Sequence, residues 1–141
     1  MNKTCIIGID FGEKRIGVAV SDSEKKIAFS LDVIHRENKS FGIKKLKRIL
    51  SEREIDSIVV GVPYRENGDL LNEGHEVFSY IGSLKDHFKV SVLTWDERYS
   101  TMIAENAMLS ADVSRKGRRA VIDKVAAQII LQSYLDSMNA E

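Results

Sequence analysis

The chain has 141 residues, and its 21 lysines and arginines balance its 21 aspartates and glutamates, so its formal net charge is zero. This length predicts a single domain over residues 1–141 with a real core. Zero net charge excludes polyanion binding through overall basicity, so any nucleic-acid site needs a local cluster of cations. There is no signal-peptide profile and no apolar run near the ~18 residues of a membrane span, which predicts a cytoplasmic protein without a membrane partner.

The residues from Cys5 to Gly12 form an apolar run that ends in a carboxylate, Asp10, between two glycines. Such a run predicts a strand buried on both faces in the middle of a sheet, with Asp10 at its C-terminal mouth. Gly8 and Gly12 lack side chains, which would leave room for a metal ion or a phosphate near the backbone. Taken alone, an Asp-x-Gly motif is more typical of an aspartate that only caps the turn into the next strand.

Two alternating segments follow this first strand. Apolar residues at Ile16, Val18 and Val20 predict a strand that pairs back on the first, and the same alternation over residues 27–33 adds a third antiparallel strand. The spacing then changes to that of a helix over residues 43–50. The lysines and arginines on the outward side of this helix are more typical of a solvated face than of a binding surface.

A second fully apolar strand, residues 57–62, follows this helix and ends at Pro63. Because a helix connects the two apolar strands, we expect them to be parallel, with their C-terminal ends on the same side. A helix spaced from Val77 to Phe88 and a strand from residue 89 to 95 come next. After the strand come Asp96 and Glu97, and then a short helix that starts at residue 100 or 101 and runs to about residue 108.

Four cations crowd around Gly117 in a segment, residues 110–119, that shows no regular period and is expected to be a loop. They are Arg115, Lys116, Arg118 and Arg119. This density is the best local polyanion site in a neutral chain, although a solvated loop explains it equally well. Residues 121–131 then predict a largely buried helix, which would carry Asp123 into contact with a neighbouring element.

The predicted order is an antiparallel meander followed by parallel crossover strands. It indicates a ribonuclease H-like α/β fold, a mixed five-stranded sheet with helices on both faces. This fold would bring Asp10, Glu97 and Asp123 to one edge, where they repel one another unless divalent cations lie between them. Carboxylate oxygens suit Mg²⁺ or Mn²⁺, and two such ions about 3.5–4 Å apart can promote phosphodiester hydrolysis. Asp96 is the reserve ligand, because strand alternation turns Asp96 and Glu97 to opposite faces.

Four ordered motifs together resemble the YqgF family over essentially the whole chain. They are GIDFG at 8–12 with KRIGVAVSD at 14–22, VGVP at 60–63, DERYST at 96–101, and DKVAA at 123–127 continuing into ILQSYL at 130–135. Members are described as nucleases of precursor 16S rRNA and as similar to Holliday junction resolvases. The resemblance implies a bacterial cytoplasmic protein with a RuvC-like ribonuclease H fold that acts in maturation of the 5′ end of 16S rRNA.

By position, the family's acidic site falls on Asp10, Glu97 and Asp123. The loop after Pro63 departs from the family, which often carries Asn or a small residue where this chain has Tyr64 and its neighbours, so no substrate contact is carried over there. The expected partners are precursor rRNA or branched DNA, with or without the ribosome, and the chain is expected to be a monomer or a weak homodimer. The residues expected to bind nucleic acid are Arg98, Arg115, Lys116, Arg118, Arg119 and Lys124.

Other functions remain open at this stage. A Holliday-junction-type DNA resolvase would use the same acids. Sugar kinases and actin-like ATPases share the fold and begin with a similar Asp-x-Gly hairpin that cradles phosphates, although they close two lobes around the nucleotide. A non-catalytic module that binds RNA or the ribosome would need only the basic residues. Arg98 could contact the scissile phosphate or pair with an acid.

Overall fold

The computed structural model describes residues 3–64, 67–70, 72–98 and 115–140, with the backbone only for residues 72–74 and 115–124. The helix expected to end near residue 108 lies outside the described residues, as do Arg65 and Glu66.

A five-stranded sheet with the order β3-β2-β1-β4-β5 is the centre of the fold. Its strands are β1 (Cys5–Phe11), β2 (Arg15–Ser21), β3 (Ala28–His35), β4 (Ile55–Val62) and β5 (Ser91–Asp96). The strands β1, β2 and β3 form an antiparallel meander, and β4 and β5 continue the sheet in parallel with β1. The predicted meander and the predicted parallel crossover are therefore confirmed.

Apolar side chains that alternate along the strands cover both faces of this sheet. The helices α1 (Ile43–Leu50) and α2 (Asn72–His87) pack on one face, where Ile7 and Ile9 meet Leu46 and Tyr80. The helix α3 (Arg115–Asn139) packs on the other face, where Leu131 joins a cluster with β1 and β4 residues. Because β1 is covered on both sides, it is buried along almost its whole length, as its continuous apolar run predicted.

The structure corrects the predicted loop at Arg115, Lys116, Arg118 and Arg119. Helix α3 already begins at Arg115, so all four basic residues lie in its first turns. Arginine and lysine are good helix formers, and a single glycine costs a helix only about 1 kcal/mol. Helix α3 can therefore run through Gly117 without interruption.

Candidate active site

Asp10 lies near the C-terminal end of β1 and is half-buried. Successive strand side chains point to opposite faces, so Asp10 shares its face with Ile6, which belongs to the cluster under α3. Its neighbour Ile9 points the other way and packs under α1 and α2. The carboxylate of Asp10 is thus on the α3 side of the sheet, at the edge where the parallel strands end.

Helix α3 crosses this face with small residues where it approaches the sheet. Its Ala127 lies against Gly17, where an added Cβ would be 3.3 Å from the Ala127 Cβ. Gly17 pairs with Asp10 across the β1–β2 ladder. Asp123 precedes Ala127 by four residues, one turn or about 6 Å along the helix axis. Its backbone therefore lies on the part of α3 that continues past Asp10, and its side chain is outside the described part of the chain.

Glu97 turns back towards Asp10 across a glycine in the intervening strand. Its Oε1 atom is 2.7 Å from the position that a Cβ on Gly61 would occupy. Ile9 pairs with Val60, so continuing that register by one residue puts Gly61 beside Asp10. Neighbouring strands are about 4.8 Å apart, which leaves the Glu97 carboxylate roughly one strand away from Asp10. Gly61 makes this approach possible, and sequence analysis gave it no role, although a glycine inside an apolar strand often marks such close contact.

Asp96 and Arg98 form a separate pair on the opposite face. The Arg98 Nε donates to both Asp96 carboxylate oxygens at 3.0 and 2.9 Å, and Nη2 donates to Oδ2 at 2.5 Å. These side-chain hydrogen bonds are the main reason that the pKa of Asp96 lies below its ordinary value, and the backbone N–H of Arg98 lowers this pKa further. The Arg98 guanidinium also lies 5.6 Å from the centre of the Tyr64 ring. Of the two roles expected for Arg98, the structure displays the pairing with an acid, and that acid is Asp96.

Each glycine flanking Asp10 lies in a close contact that a side chain would disturb. A Cβ on Gly8 would be 2.6 Å from the Cβ of Leu131 and 3.1 Å from the Ala127 carbonyl oxygen, so helix α3 fills the space that was expected to admit a metal ion or phosphate. The turn between β1 and β2 needs a glycine at position 12, because a Cβ added there would be 2.6 Å from the Arg15 carbonyl oxygen. Pro63 follows the last residue of β4 and ends the strand as expected.

Two carboxylates described on the α3 side have the right chemistry to bind a divalent metal ion, but they do not make a complete metal site. Asp10 and Glu97 supply hard oxygen ligands of the kind that Mg²⁺ and Mn²⁺ prefer. Among the described side chains, no group of three His, Cys, Asp or Glu residues stands close enough to hold a metal. The third predicted ligand, Asp123, has no described side chain, so the three-acid site stays a prediction.

Comparisons with known proteins cover nearly the whole chain. The family model described as "RuvX: Holliday junction resolvase" matches residues 4–137. A protein of Desulforamulus reducens is 44% identical over 132 residues, which are 94% of this chain and 96% of the relative. One of Geobacillus kaustophilus is 47% identical over 133 residues, 93% of this chain and 96% of the relative. Both carry the name "Putative pre-16S rRNA nuclease". The resemblance to the YqgF family is confirmed.

Solved resolvases share the fold at low sequence identity. Thermus thermophilus RuvC in complex with a Holliday junction substrate superposes with a TM-score of 0.56 at 13% identity, covering 96% of this chain and 95% of RuvC. Fowlpox virus resolvase, solved with Holliday junction DNA, gives a TM-score of 0.52 at 11% identity, covering 97% of this chain and 100% of that one. The predicted ribonuclease H-like fold is thus confirmed. No described helix combines the length and apolar character needed to cross a lipid bilayer.

Proposed function

We propose that this chain, which belongs to the RuvX family of Holliday junction resolvases, is a nuclease that cuts structured nucleic acid with the help of divalent metal ions. One observation carries the proposal: Glu97 reaches across Gly61 towards Asp10 on the α3 side of the sheet. Two acids carried to one sheet edge by separate strands suit metal-assisted hydrolysis. The alternative role of Asp10 as a simple turn cap gives no reason for Glu97 to lie there.

In this proposal Asp10, Glu97 and Asp123 hold Mg²⁺ or Mn²⁺. Bound ions would supply a water of lowered pKa and would neutralise charge on the leaving oxygen. The protein residues fix the geometry: the Asp10 backbone lies in β1 between β2 and β4, and Gly61 lets the Glu97 carboxylate come close to β4. Helix α3 shields this face from water on the side where Leu131 and Ala127 pack.

The proposed substrate is the precursor of 16S rRNA, cut during maturation of its 5′ end in the bacterial cytoplasm, either free or on the ribosome. The names of relatives that are 44% and 47% identical support this substrate. Branched DNA is the alternative that the family description supports. The basic first turns of α3, residues 115–119, and Lys124 extend the same helix that crosses the Asp10 face, so we place the nucleic-acid backbone along its N-terminal end. A monomer or a weak homodimer would suffice.

The test is cleavage of labelled precursor rRNA and of a labelled four-way DNA junction, each in Mn²⁺, in Mg²⁺ and in chelator. The variants are Asp10→Asn, Glu97→Gln and, as a matched control, Asp96→Asn. Loss of a metal ligand should reduce cleavage by more than about 100-fold, since even supporting residues of metal sites cost 10–100-fold. Asp96→Asn should still cut, because its side chain lies on the other face and pairs with Arg98.

Melting curves in chelator separate chemistry from folding. Asn matches Asp in shape, so Asp10→Asn should melt near wild type while cleavage disappears. Cleavage that survives in Asp10→Asn, or in chelator, would contradict the metal mechanism. Binding of the RNA without cleavage in either metal would favour the non-catalytic module, and calorimetric binding of ATP would favour the ATPase-like alternative.

A further inference from the structure

A cleft of about 230 Å³ opens beside Asp10 on the side away from β4. Its lining includes Asp10, Gly17 and Val33 together with Lys14, from the turn between β1 and β2, and Arg15, the first residue of β2. The side chains of Lys14 and Arg15 are exposed. The active-site carboxylate and two cations therefore border the same open space, which lies on the opposite side of Asp10 from Glu97.

The hairpin segment from Gly12 to Arg15, which carries these two cations, is held rigidly. Within the turn, the Gly12 N–H donates to the Arg15 carbonyl oxygen at 2.8 Å. The side chain of Arg36 is 1% exposed, and its Nη1 donates to the carbonyl oxygens of Gly12 at 2.9 Å and Glu13 at 3.0 Å. The Arg36 backbone N–H donates to the Lys14 carbonyl oxygen at 2.9 Å. The carbonyl oxygen of every residue from Gly12 to Arg15 thus accepts a hydrogen bond.

The Arg36 side chain also bonds to residues outside this hairpin. Its Nε and Nη2 donate to the carbonyl oxygens of Ser40 and Lys39, both at 2.9 Å, and Nη1 donates to Glu76 of α2 at 2.9 Å. Its guanidinium lies 4.4 Å from the centre of the Phe11 ring. A buried cation with this many acceptors keeps the turn in one position, so the turn is preorganised before any ligand arrives.

We propose that Lys14 and Arg15 form a phosphate-contact site that holds the backbone of the nucleic-acid strand beside Asp10. The proposal rests on the proposed function, and it adds a second cationic contact to that of the basic turns of α3. A polyanion approaching the acids Asp10 and Glu97 is repelled, and Glu13 at the same turn adds to that repulsion. Cations on a rigid support a few residues away offset it. A contact of this kind positions the strand and carries no sequence information.

The test uses Lys14→Gln/Arg15→Gln against the matched pair Lys47→Gln/Arg48→Gln. Lys47 and Arg48 are also adjacent and exposed, but they lie on α1, on the other face of the sheet. Binding to precursor rRNA and to the four-way junction is measured over a range of salt concentrations in an Asp10→Asn background, where no cutting interferes. Each lost phosphate contact should reduce the slope of log affinity against log salt by about 0.9 on a duplex. The slope of the Lys14→Gln/Arg15→Gln variant should therefore be smaller by up to about 1.8. The α1 pair should leave the slope unchanged.

Equal slopes in the two double variants would overturn the proposal, as would a loss of affinity that differs between unrelated sequences. Single substitutions of Lys14 and Arg15, each with a melting curve, guard against misfolding, because both variants keep the backbone carbonyl groups through which the hairpin is held. An Asp10→Asn parent that binds neither nucleic acid would overturn both this site and the proposed function. A parent that binds normally with no effect of the hairpin pair would overturn this site only.

Discussion

Gly61→Ala should abolish cleavage while leaving the fold largely intact. The added methyl group would lie 2.7 Å from Glu97 Oε1, 2.8 Å from Glu97 Cγ and 2.6 Å from Ile130 Cδ1. Each distance is about 1 Å shorter than a normal contact between heavy atoms. All three atoms belong to the outer parts of side chains, so they can move without moving a backbone. The Glu97 carboxylate is then displaced from β4 and from Asp10.

The expected magnitudes follow from this geometry. Overpacking a core site typically costs about 1–3 kcal/mol, and replacing glycine by alanine returns about 0.4–1 kcal/mol through the unfolded chain. We therefore expect a loss of about 1–2 kcal/mol in the free energy of unfolding, or about 3–8 °C in Tm for a chain of this size. A misplacement of about 1 Å at a reacting centre can cost about 100-fold in rate. Cleavage should fall by at least that factor.

Gly8→Ala is the comparison that makes the result specific. Its methyl group would be 2.6 Å from the Leu131 Cβ and 3.1 Å from the Ala127 carbonyl oxygen, and both atoms are fixed to the backbone of α3. The helix must shift as a unit, so the stability loss should exceed that of Gly61→Ala and reach about 3 kcal/mol or more. Thermal melts in chelator and Mn²⁺-dependent cleavage rates are measured for both variants. A Gly61→Ala protein that cuts at the wild-type rate would refute the role assigned to Glu97.

Three further predictions concern buried and paired groups. Arg36→Met should lower the free energy of unfolding by about 3–5 kcal/mol in a urea melt, because it leaves the carbonyl oxygens of Gly12 and Glu13 without their side-chain donor, and a loss under 1 kcal/mol would contradict this. Tyr80→Phe should keep or raise Tm, since the buried Tyr80 hydroxyl has no hydrogen-bond partner among the described residues; a fall of several degrees would reveal a partner. Arg98 lowers the pKa of Asp96 in the folded protein. The ionised Asp96 therefore stabilises the fold above its unfolded pKa of about 3.9, and this contribution is lost as the pH falls through the folded pKa. Wild type and Asp96→Asn should differ in Tm at neutral pH and converge in acid.

The local pattern of residues determined the sheet and the position of its first acid. The alternation at Ile16, Val18 and Val20 shows how β2 is buried, and the continuous apolar run shows how β1 is buried. Both patterns can be read from the sequence because they depend only on the order of residues within one short segment. Asp10 therefore had to lie at the end of a central strand. The beginning of α3 was not predictable in the same way, because a helix turn composed of arginines, a lysine and a glycine has no apolar period to mark it.

Only the tertiary structure decided which face each acid uses and what each glycine is for. Alternation established that Asp96 and Glu97 point in opposite directions, but the choice between them depends on Gly61, which is 36 positions away in the chain and admits the Glu97 side chain. The hydrogen bonds of Arg36 to the Asp10 hairpin likewise join residues more than 20 positions apart. Such contacts leave no periodic signal, because they are set by how separate elements pack against one another and not by the order of residues within any one of them.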